Sequence, residues 1–180
     1  MIKVIEDWLG DSDLVRYLDR LFTYKTPHNY IEYADSSNAP KTIFGRYDEQ
    51  ETESQIFYSA DFSAENPLIK FLVIKAMDSI EDHMHIDQRT LICERVHLAI
   101  QHPFQDIEWH RDGGKITAVY TAACPGGGDF IFSLGVSQQI VEFKKNKLIL
   151  FDGDQKHMAL APKSKRPRIL LVMKFNYHIN

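Results

Sequence analysis

The residues of this sequence best placed to hold a metal ion lie in WHRDGG at 109–114. His110 and Asp112 stand one residue apart, so an extended backbone presents imidazole and carboxylate on the same side. Alone the pair is weak evidence, because a chain with 8 histidines and 25 Asp and Glu residues yields such pairs by chance. A second one, His85-Ile86-Asp87, is present. Context separates them. WHRDGG lies between a strand ending near Gln101 and one starting near Lys115, and His157 follows another apolar strand and turn in NKLILFDGDQKH. In a rolled-up sheet these strand ends converge. Two histidines and a carboxylate on one face of a metal, with the other positions open, suit non-haem Fe(II) and admit a co-substrate and O2. Arg168 opens the last apolar strand, RILLVMKF. A guanidinium planted among apolar side chains needs an anion, and a carboxylate is its best bidentate match.

The elements that must position these groups divide the chain into a helical, loop-rich part over 1–90 and a strand-rich core over 91–178, together one domain of 180 residues. In DSDLVRYLDRLF, Leu14, Leu18 and Leu21 with Tyr17 and Phe22 recur at helical spacing behind an Asp11/Ser12 cap. A second helix is signalled by Asn66 as cap, Pro67 at the first helical position, and apolar residues around Leu68, Phe71, Leu72, Ile74 and Ile80; it should end near His83. Residues 26–54 are rich in Pro, Asn, Ser and Asp and read as loop, with IFGRY at 43–47 as a short strand and the wider stretch 26–62 as a candidate lid. Beyond the second helix come TLICERVHLAIQ, KITAVYTAA, DFIFSL, QIVEF, KLILF and RILLVMKF, separated by turn residues. Two helices followed by six to eight short strands is an α+β pattern, mainly β, in which helices brace one face of a sandwich or barrel.

In ERVHLAIQ, Val96, Leu98 and Ile100 alternate with Arg95, His97, Ala99 and Gln101. Parity therefore turns Arg95, His97 and Gln101 toward the cavity, where they would meet co-substrate or substrate.

Composition narrows the function classes. A net charge of −4 supplies no basic field for phosphate backbones, which disfavours a general nucleic-acid binder. Cys93 and Cys124 lack the paired spacing of a zinc site and read as reduced thiols of a cytoplasmic protein. No stretch reaches the length of a membrane span, and the first residues lack a basic region followed by an apolar run. Gly126–Gly128 lack the spacing of a phosphate loop and read as a turn, and Lys144–Lys147 as a solvated hairpin. His85-Ile86-Asp87 reads as a helix end, where histidines meet the helix dipole favourably. No motif specifies an oligomeric state.

HRD at 110–112, TAVYTAACPGGGDFIF at 117–132, NKLILFDGDQKH at 146–157 and PRILLVMKF at 167–175, in that order, resemble the catalytic core of the Fe(II)/2-oxoglutarate-dependent dioxygenases, prolyl-hydroxylase-like branch. The resemblance covers about half of the chain. It implies a double-stranded β-helix, a cupin-like jelly roll, with iron held by His110, Asp112 and His157. It further implies that Arg168 holds the distal carboxylate of 2-oxoglutarate, with Arg166 eligible by spacing. Thr121 stands where prolyl hydroxylases of this branch often place a tyrosine near that carboxylate, and Gln101 is assigned to the same co-substrate site. The implied reaction hydroxylates a C–H bond of a small molecule or a protein side chain and releases succinate and CO2. The rival readings are an oxidative demethylase of alkylated nucleic-acid bases, which needs a basic groove and an aromatic clamp, and a jelly-roll module that binds metal without turnover.

Overall fold

The structure, a computed structural model, describes residues 1–24, 28–33, 41–42, 55–59, 62, 66–101, 106–123, 126–163 and 167–178. Helix α1 (Ser12–Tyr24) starts where the Asp11 carboxylate accepts the N–H groups of Asp13 at 2.8 Å and Leu14 at 3.1 Å, satisfying donors that the first turn leaves open. Its Leu18 and Phe22 are fully buried, whereas Tyr17, expected on the same stripe, is exposed. Helix α2 (Pro67–Met84) is capped by Asn66, whose Oδ1 accepts from Leu68 and Ile69. The chain leaves it at His85, left-handed at φ 60. Asp87 then caps a single turn at 88–90 and pairs with Arg89 at 2.6 Å, so His85-Ile86-Asp87 is a helix end. Helix α2 buries Ile69, Leu72, Ala76 and Ile80 but exposes Phe71 and Ile74, both expected inside. Its sequence is apolar on several sides at once, so periodicity alone does not select the packed face.

Twelve strands are present among the described residues: β1 (Ile2–Ile5), β2 (His28–Tyr33), β3 (Lys41–Thr42), β4 (Gln55–Ser59), β5 (Leu91–Gln101), β6 (Ile107–His110), β7 (Ile116–Ala123), β8 (Phe130–Ser133), β9 (Gln138–Val141), β10 (Leu148–Asp152), β11 (His157–Ala159) and β12 (Arg168–Tyr177). They form an eight-stranded sheet in the order β1-β10-β7-β12-β5-β4-β2-β3 and a four-stranded sheet in the order β6-β11-β8-β9. Strands β2 and β3 lie inside the stretch that reads as loop, and add to the edge of the large sheet. Their runs are too short for alternation to register against polar flanks. The expected strand at 43–47 and most of the candidate lid lie outside the described residues.

Two apolar layers hold the fold together. One lies between the large sheet and the helices and includes Leu18, Phe22, Leu72, Ile80, Leu98, Tyr120, Leu150 and Leu171. The other lies between the sheets and includes Val119, Phe130, Phe132, Phe143, Ile149, Phe151, Leu170 and Val172. Strand β12 feeds both: Ile169, Leu171 and Met173 join the helix layer, while Leu170 and Val172 join the inter-sheet layer. Arg168 and Lys174 share the parity of the second set and so face the smaller sheet. Burial pushes the Cys93 thiol up to about 11. No described helix is long and apolar enough to cross a membrane.

Candidate metal centre

The smaller sheet brings the two predicted histidine ligands together. Strands β6 and β11 pair antiparallel with His157 directly opposite His110, and the ring centroids are 4.3 Å apart. Each ring is fixed by the same local device. Nδ1 of His110 lies 2.8 Å from the carbonyl oxygen of Glu108, and Nδ1 of His157 lies 2.9 Å from that of Gln155. A carbonyl oxygen only accepts, so each Nδ1 carries the proton and each Nε2 keeps a lone pair for a metal.

Asp112 completes the group two residues beyond β6. One ligand atom from each of His110, Asp112 and His157 lies within 4.8 Å of the others, the single such cluster of three among the described residues. The loop carrying Asp112 is clamped to the turn that precedes His157. The carbonyl of Gly153 accepts from the N–H groups of Asp112 and Gly113, both at 3.1 Å, and Gly153 N–H donates to Lys115 at 3.0 Å. The approach is so close that a Cβ at position 153 would overlap the carbonyl oxygen of Gly113 and come within 2.7 Å of that of Gly114.

The electrostatics suit a cation. Burial pushes the His157 imidazole down to about 4, against the opposing pull of Asp112 and with help from His110. Phe132 stacks on its ring and Phe151 meets it edge-on at 4.8 Å. The ring is thus neutral at physiological pH, the form that binds metal. For Asp112, burial works toward a higher value, but His157, Lys174 and His110 together hold the carboxyl below its ordinary value. The anion is therefore in place. Two imidazoles and one carboxylate, converging and held from behind, fit a divalent transition metal.

Arg168 begins β12 and is fully buried. Its guanidinium packs over the adjoining rings of Phe130 and Phe143, 4.8 Å from each centroid, and Nη1 donates to the carbonyl of Gly128. Gly128 is held at φ 84, and a Cβ there would sit 3.2 Å from the Leu160 carbonyl, so it is glycine that lets this turn offer its carbonyl to the guanidinium. Gln101 is the cross-strand partner of Arg168 and donates through Nε2 to the Ala159 carbonyl at 3.1 Å, linking the guanidinium end of the large sheet to the strand of His157. Thr121 is opposite Leu170 on the same inner face. Its hydroxyl donates to the Lys144 carbonyl at 2.5 Å and accepts from Lys147 N–H at 2.8 Å, holding the hairpin before β10. Arg95 and His97 share the inward parity of Ala99 on β5. Arg166 lies outside the described residues.

Three contributors escaped the sequence reading. Lys174 donates to the Asp112 carbonyl at 2.8 Å and stands 3.5 Å from its Oδ1; its signal is a lysine interrupting an apolar strand at the parity of Arg168. Gly153 and Gly128 act by lacking a side chain, and only their place in FDGD and PGGGD marks them.

No family model matches the sequence, and no curated protein matches it. Solved structures do. An oxidoreductase of the 2OG-Fe(II) oxygenase family from Burkholderia pseudomallei superposes with a TM-score of 0.71 at 12% identity, covering 98% of this chain and 85% of that one. A prolyl-4-hydroxylase from Pseudomonas putida gives 0.63 at 17% identity, covering 99% and 93%. The non-haem α-ketoglutarate-dependent epimerase SnoN from nogalamycin biosynthesis gives 0.67 at 12% identity, covering 97% and 76%. The fold of this chain is that of the 2OG-Fe(II) oxygenases, a double-stranded β-helix braced by two helices.

Proposed function

We propose that this chain is an Fe(II)- and 2-oxoglutarate-dependent dioxygenase that hydroxylates a C–H bond of a small molecule or a protein side chain. The observation that carries this reading is the convergence of His110, Asp112 and His157, with both Nδ1 atoms tied back to backbone carbonyls. When bound, Fe(II) with 2-oxoglutarate supplies the activation of O2, so that substrate C–H, 2-oxoglutarate and O2 become C–OH, succinate and CO2.

The chain's own residues do the rest. His110 and His157 offer Nε2, and Asp112 offers a carboxylate oxygen, to one face of the metal. Arg168, packed over two adjoining phenylalanine rings, takes the distal carboxylate of 2-oxoglutarate as a bidentate partner. Gln101 borders that carboxylate from the adjoining strand, and Thr121 shapes the same wall through the hairpin it holds. Phe132 and Phe151 keep water from the back of His157.

Neighbours of this fold include both a prolyl-4-hydroxylase and an epimerase, so the product must be read directly. Purified protein with Fe(II) and 2-oxoglutarate under anaerobic conditions is expected to develop a weak visible charge-transfer band. On admitting O2 it should release succinate. A screen of amino acids, peptides and nucleosides for stimulated succinate release, with product masses raised by one oxygen, identifies the substrate. Absence of the visible band would overturn the reading. Stimulated succinate release with no oxygen in the product would replace hydroxylation by another outcome.

A further inference from the structure

We propose that Lys174 is a positioning residue of the metal centre, which ties back Oδ1 of Asp112 and so presents Oδ2 alone to the metal. This rests on the triad holding a divalent cation. Two contacts to one residue carry the inference: Nζ donates to the Asp112 backbone carbonyl at 2.8 Å and stands 3.5 Å from Oδ1. The other carboxylate oxygen, Oδ2, stands 3.8 Å from Nε2 of His157. The two oxygens therefore have different neighbours, an ammonium on one and the ligand cluster on the other.

Placement excludes an incidental surface contact. Lys174 lies on the inward face of β12 after Leu170 and Val172, opposite Thr117 and Arg95 in register, with its side chain only 21% exposed. Ordering a long lysine stem there costs side-chain entropy, which holding the Asp112 main chain and carboxylate together offsets. A carboxylate that chelated through both oxygens would occupy a position that the triad otherwise leaves open to co-substrate and O2. Lys174 blocks that mode by giving Oδ1 a cation of its own.

The test uses Co(II) as the probe, with affinity measured by chelator competition and geometry by its visible absorption, on the full chain. Lys174→Met, which keeps the stem and removes the charge, should weaken Co(II) by about 10- to 100-fold, the usual cost of losing a group behind a metal ligand, and alter the spectrum. Lys174→Arg should recover most of the affinity and the wild-type spectrum. If the Met variant does not fold, Lys174→Gln replaces it with the same expectation. Wild-type affinity and spectrum in the Met or Gln variant would overturn the proposal, as would an Arg variant no better than Met. The parent reading fails separately, if wild type and Asp112→Ala bind Co(II) equally.

Discussion

His110 and His157 are direct partners across the β6–β11 ladder, and each imidazole is held through Nδ1 by the carbonyl two residues before it. The antiparallel register places two identical local arrangements face to face, with ring centroids 4.3 Å apart and one ligand atom of each within 4.8 Å of the other. The strand pairing itself brings the two candidate ligands together, and Asp112 is added from the loop that follows.

A pH dependence of stability follows for the metal-free protein. Folding lowers the His157 pKa from 6.5 to about 4, so the unfolded chain binds the proton more readily. The resulting stability is fully present above pH 6.5, declines as pH falls toward 4, and is lost below that. Integrated over the window, the loss is on the order of 3 kcal/mol. Denaturant unfolding of the metal-free protein between pH 7 and 4 should show it, and His157→Gln should flatten that slope. An unchanged slope in the variant would assign the effect elsewhere.

Gly153→Ala tests the clamp between the two ligand-bearing turns. Real Cβ contacts do not approach as closely as this one would to the Gly113 and Gly114 carbonyls, so the loop carrying Asp112 must shift. Overpacking of this kind costs roughly 1–3 kcal/mol. The expected signature is a lowered melting temperature together with weakened Co(II) binding, because the displaced segment holds a ligand. A variant that melts lower yet binds Co(II) normally would show that the loop relaxes without moving the carboxylate.

Thr121→Val separates two roles for one hydroxyl. With its proton on the Lys144 carbonyl and its oxygen accepting from Lys147 N–H, Thr121 holds the hairpin from within. Removing the hydroxyl strands buried backbone groups at roughly 1–3 kcal/mol. Thermal melting should register that loss, while 2-oxoglutarate affinity should change less than in Arg168→Ala. A larger affinity loss than in Arg168→Ala would place the hydroxyl against the co-substrate.

The candidate site was more legible in the sequence than the residues that support it. His110, Asp112, His157 and Arg168 are chemistry-bearing types standing next to legible apolar strands: HRD between the runs ending near Gln101 and starting near Lys115, His157 after KLILF and its turn, and Arg168 opening RILLVMKF. The decoy at His85-Ile86-Asp87 was separable because a helix with a clear Asn66 cap runs into it. Lys174 was not legible, since its partner lies on another strand and only the three-dimensional register brings them together. Gly153 and Gly128 contribute empty space, which no periodicity signals. The short strands β2, β3, β6 and β11 were hidden for a related reason: segments of two to six residues draw their conformation from neighbours rather than from local pattern.

Arg168 carries the most demanding prediction, because the rings it packs on and the Gly128 carbonyl it donates to leave little freedom to re-aim. Its guanidinium is fixed by Phe130, Phe143 and the Gly128 carbonyl, so an incoming carboxylate meets a preorganised cation and bears little ordering cost. Charge-assisted hydrogen bonds of this kind contribute about 1.5–3 kcal/mol, or roughly 10- to 100-fold in affinity. Titration of 2-oxoglutarate into the anaerobic Fe(II) protein, followed by the visible band, should show that loss in Arg168→Ala. Arg168→Lys should recover part of it, because a point charge replaces the fork. Gly128→Ala should weaken 2-oxoglutarate as well, because a side chain at φ 84 and 3.2 Å from the Leu160 carbonyl is strained and shifts the carbonyl that holds Nη1, without removing any charge. Arg166→Ala is the control and should bind 2-oxoglutarate as wild type does; if it loses affinity while Arg168→Ala keeps it, the carboxylate belongs to Arg166.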